Sequence, residues 1–100
     1  MRIIARKPAM AFWELHPETK ASLLHWLHVV KVAQWHNANE VQTAFSKAKA
    51  LNGDRVRFEV AGGDYRLIAA FDFRRGIAFV KFIGTHAEYD RIDALKVAQF

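Results

Sequence analysis

No cysteine occurs in these 100 residues. That excludes a disulfide framework and a thiolate metal site, and makes a reducing cytoplasm the expected setting. Proline appears only as Pro8 and Pro17, so long stretches are free to form regular elements. The apolar run in Met1-Arg2-Ile3-Ile4-Ala5-Arg6-Lys7-Pro8 is too short for a signal peptide or a membrane span. The chain has no glycine-rich phosphate loop, no nucleophile elbow and no cluster of carboxylates. Metal-dependent nuclease chemistry would need such carboxylates. His25 and His28 lie three apart on a predicted helix, but no third ligand of matching spacing accompanies them, which favours packing on the helix flank. No metal and no other cofactor is expected.

Acidic residues are in the minority. Ten Asp and Glu face fifteen Lys and Arg, a formal charge of +5, with five His besides. This excess suits a polyanionic or acidic partner. It is not gathered in a tail, so the fold has to place it. Apolar residues make up 52% of the chain, including eight Phe and three Trp, enough for one hydrophobic core. A single domain over residues 1–100 is expected, with Trp13, Trp26 and Trp35 in the core or at its edge.

Arg2 to Ala5 reads as a short strand, and Pro8 suits the first turn of a helix carrying Met10, Phe12, Trp13 and Leu15. His16-Pro17 breaks that helix, because a residue before proline is pushed out of the helical region. A longer helix is predicted from Glu18, with Leu23, Trp26, Leu27 and Val30 at i, i+3, i+4, i+7. Asn39 with Gln42 resembles a capping box opening a third helix, whose stripe is Val41, Ala44, Phe45 and Ala48. Past Asn52-Gly53-Asp54, three strands follow: Arg55 to Val60, Tyr65 to Phe73 and Ile77 to Gly84. Turns at Gly62-Gly63-Asp64 and Arg74-Arg75-Gly76 separate them. A last helical turn starts at Thr85 or His86 and runs through Leu95. The fold class is α+β, with helices on one face of an antiparallel sheet.

Strand alternation divides that sheet into two faces. Val56, Phe58, Val60, Leu67, Ala69, Phe71, Phe73, Ala78, Val80 and Phe82 form the predicted core face. The other face takes Arg55, Arg57 and Glu59, then Arg66, Ile68, Ala70 and Asp72, then Ile77, Phe79, Lys81 and Ile83. A solvated strand face would explain the cations, but Glu59 and Asp72 are the only acids among them. Arg55, Arg57 and Lys81 are therefore candidate phosphate ligands, and Phe79 a surface on which a base can stack. His86 and Tyr89 follow the third strand directly. Imidazole is suited to proton transfer near neutrality, and a phenol can orient a substrate.

Phe12-Trp13-Glu14-Leu15-His16-Pro17, Gly62-Gly63-Asp64-Tyr65-Arg66-Leu67 and Gly84-Thr85-His86-Ala87-Glu88-Tyr89-Asp90, in that order and spacing, closely resemble the HigB family of bacterial toxins. The Thr-His-x-Glu-Tyr-Asp ending is the most specific part, and the similarity covers essentially the whole chain. The resemblance implies a RelE-like fold and cleavage of messenger RNA, typically at the ribosome. It also implies neutralisation by a HigA antitoxin with a helix-turn-helix domain, through which the pair contacts operator DNA. Arg66, His86 and Tyr89 fall on the family's motif residues, and Arg55 and Lys81 where a basic side chain is usual. Two positions depart from the pattern. Asp64 stands where Asn is common, and is expected to tolerate the same positive φ; Arg57 stands where an apolar residue is frequent.

The expected reaction is metal-independent: the ribose 2′-hydroxyl attacks the adjacent phosphate, with His86 moving a proton, Arg66 stabilising charge and Tyr89 assisting. Two other readings compete. One is an RNA-binding module that does not cut; the other is a degenerate toxin that serves only as the antitoxin's partner and co-repressor.

Overall fold

The structure, a computed structural model, describes residues 1–4 and 6–100. Strand β1 is Arg2–Ile4, and the expected continuation to Ala5 lies outside the described residues. Helix α1, Arg6–Leu15, buries Ala9 and Trp13 one turn apart on its inner side. It stops where expected. His16 leaves the helical region ahead of Pro17, and a 3₁₀ turn, Pro17–Thr19, leads into α2, Lys20–Val32. The hydroxyl of Thr19, fully buried, donates to the His16 carbonyl at 2.7 Å and stabilises this corner. Leu23, Trp26, Leu27 and Val30 are the buried stripe of α2.

Helix α3, Ala38–Ala44, begins two residues earlier than the Asn39–Gln42 pairing predicts. Asn37 is the cap: its Oδ1 accepts from Glu40 N at 3.0 Å, and Glu40 Oε1 accepts from His36 N at 2.9 Å. Asn37 and Glu40 share the Asn39–Gln42 spacing and come first, so they nucleate the turn. Gln42 instead accepts from Ala50 N at 2.7 Å and ties α3 to β2, Lys49–Ala50.

Three longer strands follow: β3 Arg55–Val60, β4 Tyr65–Asp72 and β5 Ile77–Thr85. The sheet order is β1-β5-β4-β3-β2. The last four strands are antiparallel neighbours, whereas β1 lies parallel to β5, which makes the sheet mixed. The final helix, α4, is a single turn, His86–Tyr89, capped reciprocally by Thr85 and Glu88. It ends well short of Leu95. No helix among the described residues is long and apolar enough to cross a membrane.

The helices cover one face of the sheet. Phe58 sits at the centre of the core, edge-on to Trp26 at 5.5 Å and to Phe45 at 5.1 Å between ring centroids. Trp13 and Trp26 are buried and Trp35 is partly buried against them. His25 packs edge-on to Phe45.

One irregularity reverses part of the predicted facing. Ile68 pairs with Phe82 and Ala69 with Val80, which leaves Lys81 as an extra residue in β5. Past this bulge the alternation of β5 shifts by one. Phe82, expected in the core, lies opposite Ile68 on the open face, and Ile83, expected on the open face, joins the core.

The loop between β3 and β4 differs as well. Positive φ falls on Ala61 (52°), Gly62 (72°) and Gly63 (98°), whereas Asp64 is right-handed at −67°. The two glycines precede Asp64 and absorb the left-handed geometry, so Asp64 has none to tolerate.

Candidate nucleic-acid interface

The open face divides into two parts along β4. At one end Arg66 pairs in register with Gly84. Only 8% of Arg66 is exposed. Its Nη1 donates to the Gly63 carbonyl and, at 3.4 Å, to that of Tyr65, which fixes the guanidinium against the β3–β4 loop. Glycine is favoured at 63 by its φ of 98°, and a Cβ there would also stand 2.9 Å from Glu59 Oε1 and 3.4 Å from Arg66 Nη1, the mobile ends of two side chains. Among the described residues the buried Nε of Arg66 finds no hydrogen-bond partner, and neither does that of Arg57 nearby. Buried donors of this kind are rare.

His86 lies just past the ladder that holds this arginine. Its backbone N–H donates to Asp64 O at 3.0 Å, so the β4–β5 pairing runs on past Gly84. His86 comes two residues after Gly84, directly past the end of β5, and opens α4. Its Nδ1 lies 3.0 Å from Asp90 Oδ2 across one turn. A carboxylate on Nδ1 favours the tautomer that leaves Nε2 as a proton acceptor. Tyr89 leans over the same face, with its ring 6.4 Å from that of Phe82. The fold places Arg66 on β4 opposite Gly84, and His86 and Tyr89 in the helical turn that follows β5 at the same end of the sheet. Among the described residues no hydrogen bond joins the three to each other.

About 13 Å further along β4, four residues from Arg66, Ala70 forms the floor of a cleft of about 610 Å³. Arg55 on β3 and Phe79 on β5 are its register neighbours to either side. Lys81 also lines it, with Nζ 5.3 Å from the centroid of the Phe79 ring. Arg57 is less free. It lies 3.7 Å from Glu59 and donates to the Lys47 carbonyl at 3.2 Å. Of the predicted phosphate ligands, Arg55 and Lys81 share a cleft, and Arg57 is partly neutralised on the rim between the two parts.

Three contributors had no role assigned from the sequence. Asp90 is one, although its i, i+4 spacing from His86 was a usable signal. Glu59 pairs in register with Arg66 and lies beside Arg57. The third is the segment after α4, which folds back over the open face: Arg55 Nη1 donates to Ala94 O at 3.0 Å and to Val97 O at 2.8 Å.

On the core side of the same sheet end, Tyr65 donates its hydroxyl to the Glu18 carboxylate and lies 3.4 Å from His16 Nδ1. That bond holds Glu18 below its usual carboxylate range and pushes the Tyr65 phenol up. The backbone N–H of Thr85 holds Glu88 down in the same way. Phe12 stacks on the His16 ring at 4.5 Å, and both rings pack against Tyr65, at 5.6 and 5.3 Å, which clamps the helical corner to β4.

A mixed five-stranded sheet with helices on one face and cations on the other agrees with the architecture of RelE-like toxins. The family model that matches residues 19–92 is HigB_toxin, described as the RelE-like toxic component of a toxin-antitoxin system. The chain belongs to the HigB toxin family. It is also similar to the protein named mRNA interferase HigB of Escherichia coli O6:H1 strain CFT073. The two are 29% identical over 99 residues, spanning 92% of this chain and 91% of that one.

Proposed function

We propose that this toxin acts by cutting messenger RNA, through attack of a ribose 2′-hydroxyl on the adjacent 3′-phosphate. The O–P bond to the next nucleotide breaks as the new one forms, leaving a 2′,3′-cyclic phosphate and a 5′-hydroxyl end. The observation that supports the reading best is the register of β4 and β5, in which Arg66 lies opposite Gly84, two residues before a His86 whose Nδ1 is 3.0 Å from Asp90 Oδ2.

In this reading the two protons have stated places. A base takes the 2′-hydroxyl proton and an acid supplies one to the departing 5′-oxygen; His86 Nε2 serves one of these steps and Tyr89 orients the nucleotide or assists the other. Arg66 stabilises the charge that builds on the phosphorane. Arg55 and Lys81 hold the flanking phosphate and Phe79 stacks a base, with Arg57 at the rim. The residues chosen need no metal in any step. The partner is a HigA-type helix-turn-helix antitoxin, the pair reaches operator DNA through it, and the substrate is messenger RNA on the ribosome in the cytoplasm. Family membership as a toxic component and the name of the Escherichia coli relative support this assignment.

The test is induced expression of the wild type and His86→Ala in a bacterium, with growth followed and messenger RNA 5′ ends mapped. The proposal expects growth arrest with new cuts that vanish in the variant. Cuts that persist in His86→Ala remove that residue from the chemistry, and a folded wild type that produces no cuts favours a toxin that binds without cleaving.

A further inference from the structure

Past α4 the chain does not leave the molecule. Asp93 opens a turn, its Oδ1 accepting from Leu95 N at 3.0 Å and its carbonyl from Val97 N at 2.8 Å. The Ala94 and Val97 carbonyls converge on a single nitrogen, Arg55 Nη1. Two residues on, Gln99 clamps the irregular part of β5: its backbone N–H donates to Lys81 O, and its Oε1 accepts from Ile83 N, both at 2.9 Å. This is where the bulge interrupts the regular β4–β5 ladder.

We infer that residues Asp93–Gln99 are a positioning element of the nucleic-acid cleft, holding the Arg55 guanidinium and the Lys81 bulge in place while leaving both charges unneutralised. The inference rests on the RNA reading above. It is carried by how differently the cations of this face are held. Arg57 is paired with Glu59 and Arg75 with Asp72; each gains order at the expense of its field. Arg55 is fixed by neutral carbonyls, and among the described residues no carboxylate lies within ion-pair distance of Arg55 or Lys81. A guanidinium held by backbone dipoles keeps its full charge and has already lost its rotamer freedom when a phosphate arrives, so less entropy is lost on binding. Only one of its three nitrogens, Nη1, is engaged by the segment, and Arg55 still lines the cleft beside Ala70 and Phe79. The same segment covers Phe82, which the bulge turns to the open face and which is only 4% exposed.

The test uses a single-stranded RNA oligonucleotide and fluorescence anisotropy, with His86→Ala as parent so that the probe stays intact. Gln99→Met keeps the volume of the side chain and removes the acceptor for Ile83 N–H. It is expected to weaken binding about three- to tenfold, the cost of immobilising one long side chain at the moment of association. Combined with Arg55→Ala, it should add much less than this. A general loss of structure would weaken both backgrounds equally, so the non-additivity separates positioning from folding. Deletion of residues 93–100, checked by its thermal melt, should behave as Gln99→Met does or more severely. Equal or tighter binding by Gln99→Met overturns the inference, since the segment would then be a bystander or an obstruction. A parent that binds no RNA overturns the RNA reading and this inference with it; a parent that binds, with Gln99 immaterial, overturns this inference alone.

Discussion

His86 and Asp90 face each other across one turn, Nδ1 to Oδ2 at 3.0 Å, with 52% and 59% of their side chains exposed. At that exposure the pair contributes little to stability, so its consequence lies in the orientation of the ring. His86→Ala is expected to lower the cleavage rate about 10²- to 10⁴-fold, the usual contribution of a positioned proton-transfer group. Asp90→Asn should lower it by a smaller factor with the thermal midpoint nearly unchanged. Single-turnover rates beside thermal melts check both; an Asp90→Asn enzyme that cuts at the wild-type rate removes the carboxylate from the site.

Arg66 is nearly buried, yet among the described residues its Nε has no partner. Arg66→Ala should reduce the rate on the order of 10²- to 10³-fold, as loss of a preorganised charge-stabilising donor does. Arg66→Lys should recover little of it, because an ammonium cannot both bond the Gly63 carbonyl and present a second donor in the same fork. Full activity in the lysine variant would show that charge suffices and geometry does not matter here.

Gly84 lies opposite Arg66 in the ladder, and a Cβ there would stand 2.6 Å from Phe82 Cζ. Gly84→Ala is therefore expected to destabilise the protein by about 1–3 kcal/mol, the range for an overpacked site. Shortening the neighbour, in Gly84→Ala with Phe82→Leu, should restore part of the loss. Chemical denaturation of the three proteins measures this, and a double variant no better than the single would place the strain elsewhere.

The pH dependence of folding has two limbs. Glu18 and Glu88 are held below their usual value of 4.5, by the Tyr65 hydroxyl and the Thr85 N–H respectively. A carboxylate with a lowered folded pKa contributes stability that is complete above the unfolded value and is lost as pH falls through the folded one. Stability should thus decline below about pH 4.5. The Tyr65 phenol is raised above 10.0 by the same Glu18 bond. Its contribution is complete below that value and is lost as pH rises through the folded pKa. Tyr65→Phe should flatten the alkaline limb and part of the acid one, leaving the share due to Glu88. Denaturation midpoints from pH 3 to 11 check this, and unchanged limbs in Tyr65→Phe would contradict it.

Much of this arrangement was legible in the residues because it follows from period and punctuation. The Leu23–Val30 stripe, the break at His16-Pro17 and the alternation of Arg55 to Val60 each obey a local rule, and the structure keeps them. The bulge at Lys81 obeys none that can be read beforehand. An inserted residue in β5 leaves no mark on composition, yet it exchanges the faces of Phe82 and Ile83. The parallel placement of β1 beside β5 is likewise a tertiary choice, made across more than seventy intervening residues. At the site, the shared face of Arg66, Lys81 and Phe79 followed from strand parity. The clamp on Arg55 did not, because backbone carbonyls of Ala94 and Val97 supply it and every residue type carries a carbonyl.

The most direct test of the account is to treat messenger RNA on translating ribosomes with the purified protein and determine the chemistry of the new ends. Wild type should leave 2′,3′-cyclic phosphate and 5′-hydroxyl ends, and a single 2′-deoxy substitution at the cut site should block cleavage there. Ends bearing a 5′-phosphate, or continued cutting of the deoxy-substituted message, would contradict attack by the ribose hydroxyl and the roles given to His86 and Arg66.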